Sequence, residues 1–478
     1  MKRFITGVHR SQSTLFPETL DDHITESNPV RVVEAFVDEL DLLALGFGTA
    51  QPQATGRPGY HPSTLLKLYI YGYLNRIQSS RRLERETQRN VELMWLTGRL
   101  TPYFKTIADF RKDHGQAIRK ACREFVVLCR QLNLFSQAVV AIDGSKFKAV
   151  NNRDKNLTRG KLKRRMEQID KAIDRYFAQM DCADLDERPE TEANVPELKE
   201  KIAALQKKMR ELKEQEIQLE QTPDKQISLT DPDARAMSTS GNIRGTVGYN
   251  LQAAVDTENH LILAHEVTNV GNDRDQLANM AVQAKEAIQT DNLTVIADRG
   301  YFNGTELLAC AEAGIQTYVP KPETSGSQAA GRFGKKDFHY VTESDEYLCP
   351  ANDRLIWRMT TEEKGRKLHR YWSSNCQTCH LKAQCTPSKQ RRVTRWEHEA
   401  ILEAAQERLE RKPEMMLIRK STVEHPFGTI KSWMGSTHFQ TRTLKKVSTE
   451  MSLHILAYNM KRVISILGAK ALIGAIQA

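Results

Sequence analysis

The amino-acid sequence predicts an α/β protein: a mixed sheet flanked by helices, with an N-terminal all-α domain and an inserted helical hairpin of coiled-coil type. Three observations predict this class. Residues 30–130 show helical periodicity, heptad-like apolar spacing recurs between residues 155 and 222, and short apolar strands alternate with amphipathic helices between residues 248 and 320.

The composition favours some classes of binding partner over others. The 478 residues carry a net charge of +10, which favours phosphate-rich partners such as nucleic acid over acidic small molecules. The first residues, MKRFITGVHR, lack an apolar core, and no window approaches the roughly 18 apolar residues of a membrane span. We therefore expect a cytoplasmic protein whose eight cysteines stay reduced.

Residues 1–130 are expected to form a helical DNA-binding domain. Its basic side chains crowd at helix ends and along one segment, where they could contact a duplex backbone or form an ordinary solvated face. The candidates are Arg76, Arg81, Arg82, Arg85, Arg89, Arg111 and Lys112.

Residues 155–222 are expected to form the helical hairpin. Apolar residues step by three and four along both arms, as in a coiled coil. They are Leu162, Met166, Ile169, Ile173, Tyr176 and Met180, then Leu198, Ile202, Leu205, Met209 and Leu212. Pairing with another subunit, contact with DNA and a self-packed spacer all remain open.

The predicted sheet is divided by these insertions. Its segments are residues 135–150, 228–320 and 396–470, and residues 321–395 form a loop-rich, basic insertion.

Two apolar strands of this sheet end on an acid. AVVAIDGSKF ends its apolar run at Asp143, and NLTVIADRGY does so at Asp298. Either acid alone fits a turn sequence. Together they indicate a site at the carboxyl edge of the sheet, where a desolvated carboxylate needs positive charge. Acids in other turn-like stretches are interpreted as structural: Asp231, Asp233, Asp256, Asp273 and Asp275.

A third acid, Glu424, lies in RKSTVEHPFGTIKSW. Lys431 is seven residues later and Lys420 one turn earlier, so all three share one helical face. The alternative is a capping box from Ser421 to Glu424, which Pro426 would disturb. Three converging carboxylates would hold two divalent cations roughly 3.5–4 Å apart, and Mg²⁺ prefers such oxygen ligands.

These motifs resemble those of bacterial insertion-sequence DDE transposases with an RNase H-like catalytic core. AIDGSKF is similar to the family's first-Asp strand, ADRGYF to its second, and VEHPFGTIK to its Glu helix. The resemblance covers most of the chain, including GRPGYHPSTLLKLYIYGYL, TDPDAR, GYNLQAAVD and AYNMKR.

The resemblance implies a function and a set of site residues. Asp143, Asp298 and Glu424 would bind Mg²⁺ or Mn²⁺, two ions per site, Lys431 would contact phosphate, and Lys420 would contact DNA. A related signature has Tyr and Arg at the positions of Leu417 and Lys420. The implied enzyme binds the terminal inverted repeats of its element and target DNA, cleaves a phosphodiester with water and transfers the freed strand. It would act as a homodimer or larger assembly, associated with a bacterial nucleoid.

The insertion carries Cys376-x2-Cys379-x5-Cys385, with Cys349 upstream in YLCPAND. Four thiolates, or three with His380, could bind one structural Zn²⁺, and the alternative is a set of reduced, unliganded thiols. Cys122 and Cys129 are expected to be core residues. Two rival functions stay open: a non-catalytic DNA-binding protein that retains the fold, and a nuclease that cuts without joining.

Overall fold

A computed structural model describes residues 17–51, 58–135, 138–150, 155–184, 195–222, 224–239, 242–323 and 325–478. The helices in these ranges are α1 (Pro29–Asp38), α2 (Pro62–Leu74), α3 (Ser80–Thr87), α4 (Val91–Thr97), α5 (Phe104–Asp113), α6 (Gly115–Gln131), α7 (Arg159–Asp184), α8 (Val195–Gln221), α9 (Leu277–Ile288), α10 (Gly304–Glu312), α11 (Gly326–Ala329), α12 (Lys382–Cys385), α13 (Glu399–Arg411), α14 (Met415–Gly428), α15 (Leu444–Leu467) and α16 (Ala469–Ile476). The strands are β1 (Val139–Lys148), β2 (Asn156–Thr158), β3 (Gln226–Ser228), β4 (Arg235–Thr239), β5 (Asn242–Asp256), β6 (Ile262–Thr268), β7 (Leu293–Ala297), β8 (Ile315–Tyr318), β9 (His339–Val341), β10 (Glu346–Leu348), β11 (Arg354–Glu363), β12 (Arg366–Trp372) and β13 (Val393–Trp396).

The central sheet confirms the predicted mixed α/β class. Strand β5 lies between β6 and β1, while β7 and β8 follow β1 on its other side. Strands β1, β7 and β8 are parallel, and β5 is antiparallel to both β1 and β6. Helices α9 and α10 connect β6 to β7 and β7 to β8. This order and these directions are consistent with the expected RNase H-like sheet.

The N-terminal helices and the sheet share one hydrophobic core. Helix α15 is buried along most of its length and contacts α2, α6 and β6. Apolar residues of α1, α2 and α6 belong to the same cluster as one face of β1 and β5. The helical segment thus packs against the sheet through α15 and shares its core. The expected boundary of a separate helical domain near residue 130 stays a prediction.

The helical hairpin is formed by α7 and α8, which pack against each other. Its core contains Leu162, Ile169, Met209 and Leu212, as the heptad spacing indicated, and also Leu219, which was not among the predicted positions. At its base β2 pairs with β3, which brings the two ends of the insertion together. The hairpin thus has its own small core.

The insertion at residues 321–395 is not the loop-rich segment that we expected. It contains four strands, which together with β13 form an antiparallel sheet in the order β13, β12, β11, β10, β9. Most of β11 is exposed, so its sequence lacks the apolar alternation that identifies a half-buried strand. Lys364 and Gly365, both with positive φ, close the β11–β12 hairpin.

Among helices in the described ranges, none is both long and apolar enough to cross a lipid bilayer.

Candidate active site

The register of the sheet places Asp143 and Asp298 side by side. Strand β1 pairs in parallel with β7, and the last paired positions are Ile142 and Ala297. Asp143 and Asp298 are the residues that follow this last pair. The sequence predicted that both strands end at these acids; β7 does end at Ala297, whereas β1 continues to Lys148, so Asp143 lies in the middle of its strand, beside the end of β7.

Arg419 of α14 bridges these carboxylates. Its Nη2 lies 2.7 Å from Asp143 Oδ1 and 3.8 Å from Asp298 Oδ2. The Arg419 side chain is only 17% exposed, so this contact is largely shielded from solvent. The Asp143 Oδ1 atom also accepts a hydrogen bond from Gly144 N, and Asp298 Oδ1 accepts one from Gly300 N. The two acids thus share one cationic partner, the guanidinium of Arg419.

Burial dominates the electrostatics of Asp143. It raises the pKa of this carboxyl to about 6, although the Arg419 charge and the Gly144 N–H favour the ionised form. The negative charges of Asp298 and Asp273 act in the same direction as burial.

Helix α14 runs straight through Ser421 and Pro426, so the capping-box alternative is wrong. Ser421 lies inside the helix, and its Oγ donates to the carbonyls of Leu417 and Ile418. After Gly428 the chain forms a π-helical turn over Thr429–Trp433. Such turns often occur at functional sites.

Lys431 lies in this π-helical turn and faces β1. Its Nζ donates to Ser145 Oγ at 2.6 Å and lies 4.7 Å from the centre of the Phe147 ring. Burial lowers the pKa of Lys431, and the Asp143 charge opposes that effect. The predicted phosphate-contacting lysine thus bonds a side chain two residues along β1 from the first acid.

Glu424 is not gathered with the two aspartates. It is exposed on α14, five residues after Arg419. Its neighbour His425 is anchored, with Nδ1 lying 2.9 Å from the Tyr458 hydroxyl. Within the described ranges, no three His, Cys, Asp or Glu side chains already stand in an arrangement that could hold a metal ion.

Asp273 was interpreted as a turn residue, and the structure places it against the site instead. Its Oδ1 accepts hydrogen bonds from Asn250 and Gln252, each at 2.7 Å, and Lys146 Nζ is 3.9 Å from its Oδ2. Gln252 also accepts from the Tyr301 hydroxyl. The available signal was the pair of fully buried polar residues, Asn250 and Gln252, in an otherwise apolar strand.

The other acids interpreted as structural do support turns or helix starts. Asp256 accepts from the backbone of the turn that follows it, and Asp233 Oδ2 accepts from Leu444 N at the start of α15. Asp231 is fully buried and accepts from the Tyr249 hydroxyl and Thr443 N. Asp275 accepts from Asn303 Nδ2.

Most candidate DNA-contacting side chains are exposed. The exposed set is Arg76, Arg81, Arg82, Arg85, Arg89, Lys112 and Lys420. The prediction that Arg111 contacts DNA needs correction, because its guanidinium donates to the Tyr73 hydroxyl and lies over the Tyr69 ring. A guanidinium used inside the helical domain cannot contact a duplex without local unfolding.

The cysteines of the insertion converge on one cavity. Cys349, Cys376, Cys379 and Cys385 line a space of about 200 Å³ together with His380. Burial raises the pKa of Cys385, and the other three cysteines raise it further. All four are free thiols, and Cys122 and Cys129 are buried core residues as expected.

Comparisons with known proteins give two family matches and one weak structural similarity. Residues 18–113 match the family described as Transposase domain (DUF772), and residues 215–460 match the family described as Transposase DDE domain. No curated protein matches the chain. A cryo-EM structure of the piggyBac transposase synaptic complex with hairpin DNA aligns with 94% of this chain and 79% of its own, at 8% identity and a TM-score of 0.35. A similarity this weak does not establish a common fold.

Proposed function

The chain belongs to the Transposase DDE domain family and is therefore a DDE-type DNA transposase that uses divalent metal, and we propose that Asp143, Asp298 and Glu424 form its metal site. One observation carries the proposal: the carboxylates of Asp143, within β1, and Asp298, directly after β7, lie together and form ion pairs with the same cationic group. Their oxygens are hard donors of the kind that Mg²⁺ or Mn²⁺ prefers. When bound, a pair of such ions activates the attacking oxygen and stabilises the leaving oxygen.

The protein side chains have separate tasks. Asp143 and Asp298 are held by adjacent strands, so their spacing is fixed before any ligand binds. Glu424 is exposed and would have to turn towards them from α14, a helix that contacts both β1 and β7. Lys431 lies beside this edge, where its ammonium group would neutralise a scissile phosphate.

The substrate of this site is the end of the mobile element. We propose that the protein binds the terminal inverted repeats and that water cleaves the phosphodiester there. The freed 3′-hydroxyl then attacks target DNA in the same site. Both steps are in-line displacements, and the second exchanges one phosphodiester for another, so it needs no external energy source. A dimer or larger assembly would hold two ends together.

Isosteric variants test the metal site. Asp143→Asn, Asp298→Asn and Glu424→Gln should each lower Mg²⁺-dependent cleavage of end DNA by about 10³-fold or more while DNA affinity stays within about threefold. Glu414→Gln, an exposed acid at the start of the same helix, should cleave as the wild type does. Undiminished cleavage by all three site variants would refute the assignment. A wild-type protein that binds DNA but gives no cut product at any metal concentration would favour the non-catalytic alternative.

The exposed basic residues of α3 are proposed to contact the DNA backbone. Replacing Arg81, Arg82 and Arg85 by Gln should weaken binding and flatten its salt dependence by about three phosphate contacts. The matched control replaces Lys207, Lys208 and Arg210, three exposed cations of α8. An equal loss in both variants would show that net charge, rather than α3, determines affinity.

The cysteine cavity is proposed to bind one structural Zn²⁺. Cys349, Cys376, Cys379 and Cys385 would supply the four thiolates of a structural zinc site once their side chains close on the ion, and their convergence from distant positions on one cavity supports it. The purified protein should contain about one zinc, and Cys376→Ser with Cys379→Ser should remove it, whereas Cys310→Ala should not. Zinc-free wild-type protein after growth in zinc-supplemented medium would end this proposal.

A further inference from the structure

Arg419 occupies a distinctive position in the proposed metal site. Among the residues that the structure describes, Arg419 is the one basic side chain that forms ion pairs with both Asp143 and Asp298. The other cations at this edge point elsewhere: Lys431 bonds Ser145 and Lys146 lies near Asp273. The bridge is therefore specific to Arg419.

The bridge has a clear electrostatic role. Two carboxylates held side by side in a partly buried position repel each other. A guanidinium that contacts both of them offsets this repulsion. Arg419 is poorly satisfied otherwise, because its buried Nε has no hydrogen-bond partner among the described residues. A buried charge of this kind depends on its acidic partners.

We propose that Arg419 is an internal cation that holds Asp143 and Asp298 in the metal-free protein and is displaced when divalent metal binds. This inference rests on the proposed function of the site. The Arg419 guanidinium holds its positive charge against Asp143 Oδ1 and near Asp298 Oδ2, the carboxylates at which a divalent cation would bind, so the two positive charges repel each other. Arg419 and the metal therefore compete for the two carboxylates. The apparent metal affinity is the intrinsic affinity multiplied by the fraction of time that Arg419 is withdrawn.

Direct Mn²⁺ binding without DNA, followed by electron paramagnetic resonance, tests this competition. If Arg419 is withdrawn about a tenth of the time, Arg419→Gln should bind Mn²⁺ about tenfold more tightly than the wild type. Lys412→Gln removes the same charge from an exposed position shortly before α14 and should change the affinity by less than about twofold. Equal or weaker Mn²⁺ binding by Arg419→Gln would overturn the proposal.

A second readout is thermal stability. Arg419→Gln should melt at a lower temperature than the wild type in metal-free buffer, because the carboxylates lose their counter-charge. Added Mn²⁺ should remove this difference in melting temperature. If Arg419→Gln fails to fold, Arg419→Lys decides the question. A lysine ammonium is a compact point charge and does not bridge two carboxylates as the planar guanidinium does. Arg419→Lys should therefore bind Mn²⁺ about threefold more tightly than the wild type. An unchanged affinity would contradict the proposal.

Asp143→Asn and Asp298→Asn separate this inference from the proposed site. If neither variant loses Mn²⁺ affinity, the metal site itself is misassigned. If both lose it while Arg419→Gln gains none, the metal site stands and only the competition is refuted.

Discussion

Gly144 lies between two acids that face different parts of the molecule. The carboxylate of Asp143 meets Arg419 of α14, whereas that of Asp273 meets Asn250 and Gln252 of β5. A Cβ at position 144 would stand 2.5 Å from Asp273 Oδ1 and 2.6 Å from Gln252 Nε2. The close packing of this edge therefore depends on the missing side chain of Gly144.

Gly144→Ala should accordingly disturb the site without removing any charge. The new methyl group must push Asp273 and Gln252 aside, so we expect a loss of about 1–3 kcal/mol in the free energy of unfolding and weaker cleavage. Gly160→Ala is the control, because nothing lies within 4 Å of the position of its Cβ. Urea denaturation measures both. Equal stability of Gly144→Ala and the wild type would show that this edge can accommodate a methyl group.

At this scale the sequence predicts some contacts and misses others for a physical reason. Asp143 and Asp298 are recognisable because each directly follows a run of apolar residues, which is a local pattern. Arg419 and Asp273 reach the site only through packing of α14 and through the loop after β6, and neither contact has a local signature. The role of Asp273 depended on which strand lies beside Gly144.

Among the elements, α15 carries the most unusual burial. His454 is fully buried, lies 4.6 Å from the Tyr73 ring, and within the described ranges neither ring nitrogen has a hydrogen-bond partner. His265 of β6 faces the same helix, with Nε2 2.8 Å from Ser452 Oγ. Burial lowers the pKa of both imidazoles to about 3, and nearby arginines act in the same direction: Arg111 at His454, Arg119 and Arg123 at His265.

Stability should therefore fall on mild acidification. The folded-state pKa of each histidine lies below its unfolded value of about 6.5, so the unfolded chain binds more protons between the two values. The contribution is present above about pH 6.5 and is lost as the pH falls towards 3. His454→Phe should lose less stability than the wild type between pH 7 and pH 5 in thermal melts. His339→Phe, at an exposed position, should behave as the wild type, and identical pH profiles for all three proteins would contradict this explanation.

The elements also differ in how well the sequence foretells them. The α7–α8 hairpin follows from its heptad spacing, and β7 from its apolar run. Strand β11 escaped prediction because it is largely exposed, and its partner β12 because most of its residues are only half-buried. Periodicity reports burial on one side of an element, and an exposed strand gives no such signal.

In the whole molecule, the hairpin is the most separable part. The residues of its apolar core lie between positions 157 and 227, and β2 pairs with β3 at its base, with Thr158 opposite Gln226. Replacing residues 159–225 by a short Asn-Gly turn should leave a cooperative unfolding transition within a few degrees of the wild type, about 4 °C or less. Removing α16, whose Leu472 is fully buried against the main core, should lower the transition more. Loss of cooperative unfolding in the first variant would show that the hairpin supports the main fold.

The proposed mechanism depends on one edge of the central sheet, where β1 and β7 bring Asp143 and Asp298 together and α14 supplies Arg419. The most direct measurement is an anomalous-scattering map of crystals soaked in saturating Mn²⁺. We expect manganese within coordination distance of Asp143 and Asp298, Glu424 turned towards it, and Arg419 withdrawn from both aspartates. Manganese bound only elsewhere, with Arg419 still across the two carboxylates, would contradict the mechanism.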